Sequence, residues 1–414
     1  MLKRLRSAAI QSIMGNALQK AIPFVASICV ARFAGLEDFA TFAFFISTAN
    51  TIMALSALGL APAILTELAG CRSRSDIEDR IAAIYLISAM LCLISAVLGL
   101  LGARFSHNTI GNSSHFSVVA LLAPALILLQ TTQYVYQGTN RHRAFFFQSC
   151  ILAIVVAGTL LLISAVHMNS LLLSGYSAAF LLVGFGSAIN LLGNMKGKFM
   201  QVILGARLTF RSVITSQLPF AGYTALWMLA IYLCNLRIAS NFTVSDLAYY
   251  NVGFQWYSLM LLVPATLSGV LIPHFASAGD TDTARRQNLR LSLLFAIIAL
   301  PLTLLMLLSA PWLLHLYGMT SSPQGLASVR YLILAGGIAF TLTPALQQLM
   351  ALRRFRALVS VSATWSIVAL TGAYVFASNS EGVAFSFFLA YCTVTLLIFF
   401  TMTTMKQEQT PCKP

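Results

Sequence analysis

The chain alternates long apolar runs with short polar breaks. A helix needs roughly 20 mostly apolar residues to cross a bilayer. About twelve runs qualify: 8–34, 39–66, 81–103, 116–138, 146–167, 171–193, 213–236, 246–272, 291–311, 329–351, 357–378 and 382–404. The breaks leave no room for a soluble domain of ordinary size. In hydrocarbon, backbone polar groups must be satisfied inside their own element, so the runs predict helices. The period-2 alternation of a membrane barrel is missing. Residues 1–34 start basic and turn apolar, as a signal peptide does. The run is too long for one and offers no convincing cleavage site, so it is read as the first span.

Composition agrees: 58% of the residues are hydrophobic and 9% charged, against about 25% charged in soluble domains. The net charge of +14 suggests a nucleic-acid partner until its placement is examined. With the N-terminus taken as cytoplasmic, 20 of the 25 lysines and arginines fall in segments on that side. Arg32, Arg104, Arg237 and Arg330 fall on the other, and Lys20 lies within the first span. This is the positive-inside bias of an even number of helices with both termini cytoplasmic. The positives are dealt out in small groups and are not gathered with aromatics, so no nucleic acid is expected. Seven cysteines without a CxxC pair and six scattered histidines point to no disulfide framework, no metal site and no cofactor.

Two stretches echo one another. "RFAGLEDFATFAFF" begins at Arg32 and "RIASNFTVSDLAYYNVGF" at Arg237. Each has an arginine closing an odd-numbered span, a short polar turn with an acid, and a helix start rich in alanine and aromatics. "RHRAFFFQS" from Arg141 and "RFRALVSVS" from Arg354 repeat at nearly the same offset, although Pro23 and Pro219 align at neither. The predicted fold is an all-α membrane protein with two parallel six-helix repeats around a central cavity. Its parts are an N-terminal lobe (1–195), a cytoplasmic linker (196–212), a C-terminal lobe (213–404) and a cytoplasmic tail (405–414). In transporters built this way, the substrate site lies between the halves near mid-bilayer.

Lys20 is the sharpest single residue. It lies about 12 residues into the first span, roughly 18 Å along a helix. A full charge at that depth costs about 2.5–3.5 kcal/mol and normally faces a cavity or a partner. Ser12, Asn16, Gln19, Lys20 and Ser27 form one polar stripe at helical spacing, and Pro23 is expected to kink the helix beside it. One reading makes Lys20 a cationic ligand in a central chamber, with Asn16 and Gln19 beside it. The other makes it a snorkelling lysine or the partner of a structural carboxylate. Arg32 and Arg237 are candidate ligands at the outer mouth, or simple complements to helix C-termini. Arg211, with Arg207, could gather anionic substrate at the inner face, or serve as a topology anchor. Asp38 and Asp246 read as caps or first-turn acids. Thr215, Ser216, Gln217, Tyr223 and Trp227 are candidate sugar contacts or interhelical glue. Trp312 and Tyr317 read as interfacial anchors.

The echoed corners, with "LIPHFASAGD" (Leu271 to Asp280) and "EGVAFSFF" (Glu381 to Phe388), resemble the polysaccharide-exporter branch of the multidrug/oligosaccharidyl-lipid/polysaccharide (MOP) superfamily. More narrowly, the chain is similar to O-antigen flippases of the Wzx type over nearly its whole length. The resemblance implies a multi-pass protein of a bacterial inner membrane that moves an undecaprenyl-diphosphate-linked oligosaccharide from the cytoplasmic to the periplasmic leaflet. An O-antigen polymerase and a chain-length regulator are the partners it suggests. All eleven acids sit in loops or near span ends, whereas a proton-coupled multidrug exporter of this superfamily would be expected to carry an acid within its first or seventh span. That exporter remains the alternative. A glycan polymerase or ligase is disfavoured, because the outer gaps are short and no nucleophile–base pair stands out.

Overall fold

The computed structural model describes residues 2–57, 74–105, 113–166, 171–193, 221–267, 282–352 and 354–404, with isolated positions between them. Among these residues the secondary structure is helical throughout, and the helices follow the predicted runs. In chain order they are α1 (Leu2–Phe33), α2 (Leu36–Ala57), α3 (Arg74–Phe105), α4 (Ser113–Gly138), α5 (His142–Ala165) and α6 (Leu172–Gly193). The second set is α7 (221–241), α8 (Val244–Met260), α9 (Asp282–Leu316), α10 (Pro323–Ala351), α11 (Phe355–Thr371) and α12 (Ser380–Thr404). Ten are long and apolar enough to cross a membrane. The linker 196–212 and the tail 405–414 lie outside the described residues.

Two runs differ from expectation. The run 246–272 is not one helix: α8 ends at Met260, the chain turns at Leu261, and a new helical stretch covers 262–267. Pro264 lacks the N–H that would bond to Met260, and its ring would strike that carbonyl. The run 357–378 leaves α-geometry at Gly372–Phe376, a π-turn closed by the Ala377 N–H donating to the Gly372 carbonyl at 3.0 Å. The backbone of α12 comes close here. A Cβ on Gly372 would lie 2.3 Å from Ser386 Oγ, so only glycine fits.

The two sets pack alike. α3 lies on α4 as α9 lies on α10, and α4 meets α5 and α6 as α10 meets α11 and α12. α5 lies on α6 as α11 lies on α12, and α2 contacts α4 and α6 as α8 contacts α10 and α12. α1 runs along α5. Its counterpart α7 runs along α11, where Ser366 Oγ donates to the Leu226 carbonyl at 3.1 Å and the rings of Trp227 and Trp365 stack. This is a twofold repeat of six helices. Between the sets, α8 packs against α1 and α2.

Candidate functional site: a cationic chamber beneath an aromatic seal

The cross-lobe ring contacts lie toward one end of the bundle. Phe24 of α1 meets Trp256 of α8 edge-on at 4.8 Å and Tyr317, just past α9, at 6.3 Å. Phe39 lies 5.5 Å from Tyr317, and Phe44 lies 6.5 Å from Tyr232. At a rise of 1.5 Å per residue, these rings fall within about 14 Å of the ends of α1, α2 and α7 that carry Arg32 and Arg237. Aromatic pairs of this geometry contribute about 0.5–1.5 kcal/mol beyond the area they bury. They close the seam between the lobes at that face, the one expected to be outer if the N-terminus is cytoplasmic.

Lys20 lies one turn inward of Phe24. Its side chain is exposed, roughly 18 Å along α1 from Arg32. Among the described residues it makes no hydrogen bond or ion pair, so no structural carboxylate is paired with it there. Asn16, four residues earlier on the same face, is half-buried. Gln19 is spoken for: its Nε2 donates to Ser149 Oγ at 2.9 Å, which ties α1 to α5. Ser27 is buried, and the side chain of Ser12 lies outside the described residues. The stripe therefore divides into a structural edge (Gln19, Ser27) and an edge whose polar groups make no hydrogen bond among the described residues (Asn16, Lys20).

The two echoed arginines occupy different surroundings. Arg32 reaches across the seam, with Nε 2.8 Å from the Leu316 carbonyl and Nη2 2.5 Å from the His315 carbonyl. The Arg237 guanidinium lies 5.5 Å from the ring centres of Phe242 and Tyr374, both in its own half. Its buried Nε has no hydrogen-bond partner. Neither arginine shares a level with Lys20. Arg207, Arg211, Thr215, Ser216 and Gln217 lie outside the described residues.

Other expectations are sharpened or corrected. Asp246 forms a capping box with Thr243 at the start of α8, as a first-turn acid should. It also accepts from the N–H and Oγ of Ser380 at 3.1 and 2.7 Å, pinning α8 to α12. Trp227 stacks on Trp365 at 4.4 Å with the planes 8° apart, so one face is committed to the lobe's own core. Trp312 is 62% exposed, as an anchor facing lipid should be. Tyr317 is 1% exposed and is not an interfacial anchor. The seam buries its ring, and its hydroxyl donates to Gln255 Oε1 at 2.7 Å. Phe24, Phe39 and Trp256 were not singled out from the sequence. The one available hint was the aromatic cluster at each echoed helix start.

This architecture is a two-lobed helical bundle with ten helices long and apolar enough to cross a membrane. The chain belongs to the polysaccharide biosynthesis protein family, whose model matches residues 5–278. It is 24% identical over 422 residues to the EPS I polysaccharide export inner membrane protein EpsE of Ralstonia solanacearum, a match covering 96% of this chain and 93% of the relative. The EpsE of Ralstonia nicotianae is likewise 24% identical over 421 residues, with the same coverage. In fold it is similar to an inward-facing multidrug resistance MATE family transporter of the MOP superfamily, with a TM-score of 0.72, 13% identity, and 95% and 94% of the two chains covered. A MOP superfamily transporter from Pyrococcus furiosus gives a TM-score of 0.68 at 12% identity, with 98% and 96% covered.

Proposed function

We propose that this protein is a flippase that carries a polyprenyl-diphosphate-linked oligosaccharide from the cytoplasmic to the periplasmic leaflet of a bacterial inner membrane. The observation that carries the reading is the exposed, unpaired Lys20 ammonium near mid-helix on α1, one turn inward of the ring contact between Phe24 and Trp256 across the seam, in a chain of a polysaccharide biosynthesis family. In this reading it faces a water-filled chamber between the lobes. A diphosphate needs a cation where its charge leaves water, and the described residues bring no carboxylate to that level to attract a cationic drug instead. Asn16 supplies a neutral hydrogen-bonding neighbour. Arg211 belongs to the inner mouth in this scheme.

The mechanism is alternating access. The lobes rock about the chamber, the head group and glycan pass through it, and the prenyl tail stays in lipid. One charge crossing 100 mV is worth about 2.3 kcal/mol, so a head group with two negative charges leaving an inside-negative cell gains roughly 4.6 kcal/mol. Seam contacts at the outer end support an inward-facing state.

The cargo is a surface polysaccharide unit. The resemblance in the echoed corners favours an O-antigen unit, with an O-antigen polymerase and chain-length regulator downstream. A second reading, an exopolysaccharide unit, is favoured by the export proteins to which the chain is similar. Deleting the gene and separating lipopolysaccharide from secreted polysaccharide decides between them. Lys20→Ala should abolish surface glycan while the protein stays in the membrane, and Lys20→Arg should keep part of the activity. Normal export by Lys20→Ala overturns the ligand role.

A further inference from the structure

We propose that Arg32 is the latch of the outer gate, a positioning residue that holds the lobes closed above the chamber and is not a ligand of the cargo. The inference rests on the alternating-access reading.

The last carbonyls of a helix have no partners within it and carry the negative end of its dipole. In α9 the chain closes part of this end itself. The N–H groups of Tyr317 and Met319 donate to the Leu314 carbonyl at 3.0 and 3.1 Å, and the Gly318 N–H donates to His315 at 2.9 Å. Gly318 makes the turn possible with φ of +72°, a region open to glycine at little cost. The Leu316 carbonyl is left over. Arg32, 284 residues earlier and in the other lobe, fills it with Nε and adds Nη2 to the His315 carbonyl. Two parallel donors in a fixed plane are a property of guanidinium that an ammonium lacks. The stem passes close to the turn: a Cβ added at Gly318 would lie 3.7 Å from Arg32 Cδ.

The latch sits over the seal. Phe24, Phe39, Trp256 and Tyr317 form the layer beneath it, and Lys20 lies one turn further in. Cargo leaving outward must part all of these. The rings separate gradually, whereas the two hydrogen bonds share one planar group and break together. Arg32 is exposed at the rim, so water can replace it on the α9 carbonyls once the lobes separate. Its removal therefore costs the fold little and shifts the balance toward the outward-open state.

The test uses the full-length protein in cells. The native cysteines are replaced by serine, and Asn16→Cys places a thiol in the chamber. A membrane-impermeant maleimide is applied from outside. The parent should label slowly in intact cells and quickly in inside-out vesicles. Arg32→Ala should raise outside labelling at least fivefold, Arg32→Lys should fall between, and Arg237→Ala should match the parent. Unchanged outside labelling in Arg32→Ala, at parental membrane levels, overturns the latch. Should Arg32→Ala insert poorly, Arg32→Gln keeps the bulk, loses the fork, and carries the same expectation. Labelling requires no cargo, so the two readings fail separately. Faster labelling combined with normal export by Lys20→Ala keeps the latch and removes the ligand. Unchanged labelling combined with lost export does the reverse.

Discussion

Arg32 and Arg237 close corresponding helices at the same face of the molecule, yet one spans the seam while the other is clasped by two rings of its own lobe. The difference extends down both lobes. The first lobe joins its leading helix to its partner through a polar tie, Gln19 to Ser149. The second joins the equivalent pair through stacked indoles, Trp227 on Trp365. The first lobe carries an exposed, unpaired cation, Lys20, near the middle of α1. At the same echo offset, α7 presents Ala225, which has no charge to offer. A duplicated scaffold has thus divided its labour: one copy supplies the charge and the latch, and the other supplies a stiff aromatic body to close against.

That contrast can be broken in graded steps, each read by unfolding of the purified protein in detergent. Trp365→Ala should cost the most, about 4 kcal/mol, because it empties a fully buried indole site at the centre of the second lobe. Asp246→Ala should cost about 3 kcal/mol, since it removes a cap and leaves Ser380, itself fully buried, without an acceptor. Gln19→Leu should cost about 1 kcal/mol, because Ser149 Oγ keeps its bond to the Phe145 carbonyl. Arg237→Ala should cost about 0.5 kcal/mol, two cation–π contacts being offset by release of a buried, unpartnered Nε. If Arg237→Ala proves as damaging as Trp365→Ala, the second lobe is held by its corner and not by its aromatic body.

Much of this was legible in the chain. Runs of about 20 apolar residues report helices because the bilayer fixes that length, and among the described residues each of the twelve runs is mainly helical. Lys20 was conspicuous because charge is costly at its depth. What escaped were features decided by distant partners. Gln19 reads as chamber-lining until Ser149 is seen against it. Tyr317 reads as an interfacial anchor until Phe24 and Phe39 cover it. Arg32 reads as a ligand or dipole complement of its own helix, whereas the carbonyls it completes belong to α9. The break after Met260 was foreshadowed by Pro264, but apolarity continues through it and hides the turn.

The four tryptophans are distributed so that light can follow the gate. Trp227 and Trp365 are stacked within one lobe, and Trp312 is exposed on the outside of the bundle. Among the described ring contacts of the tryptophans, that of Trp256 with Phe24 is the one that crosses to the opposite lobe. When the seam parts, its indole meets water while the other three keep their surroundings. A red shift in intrinsic emission, absent from Trp256→Phe, would therefore time the opening without any attached dye.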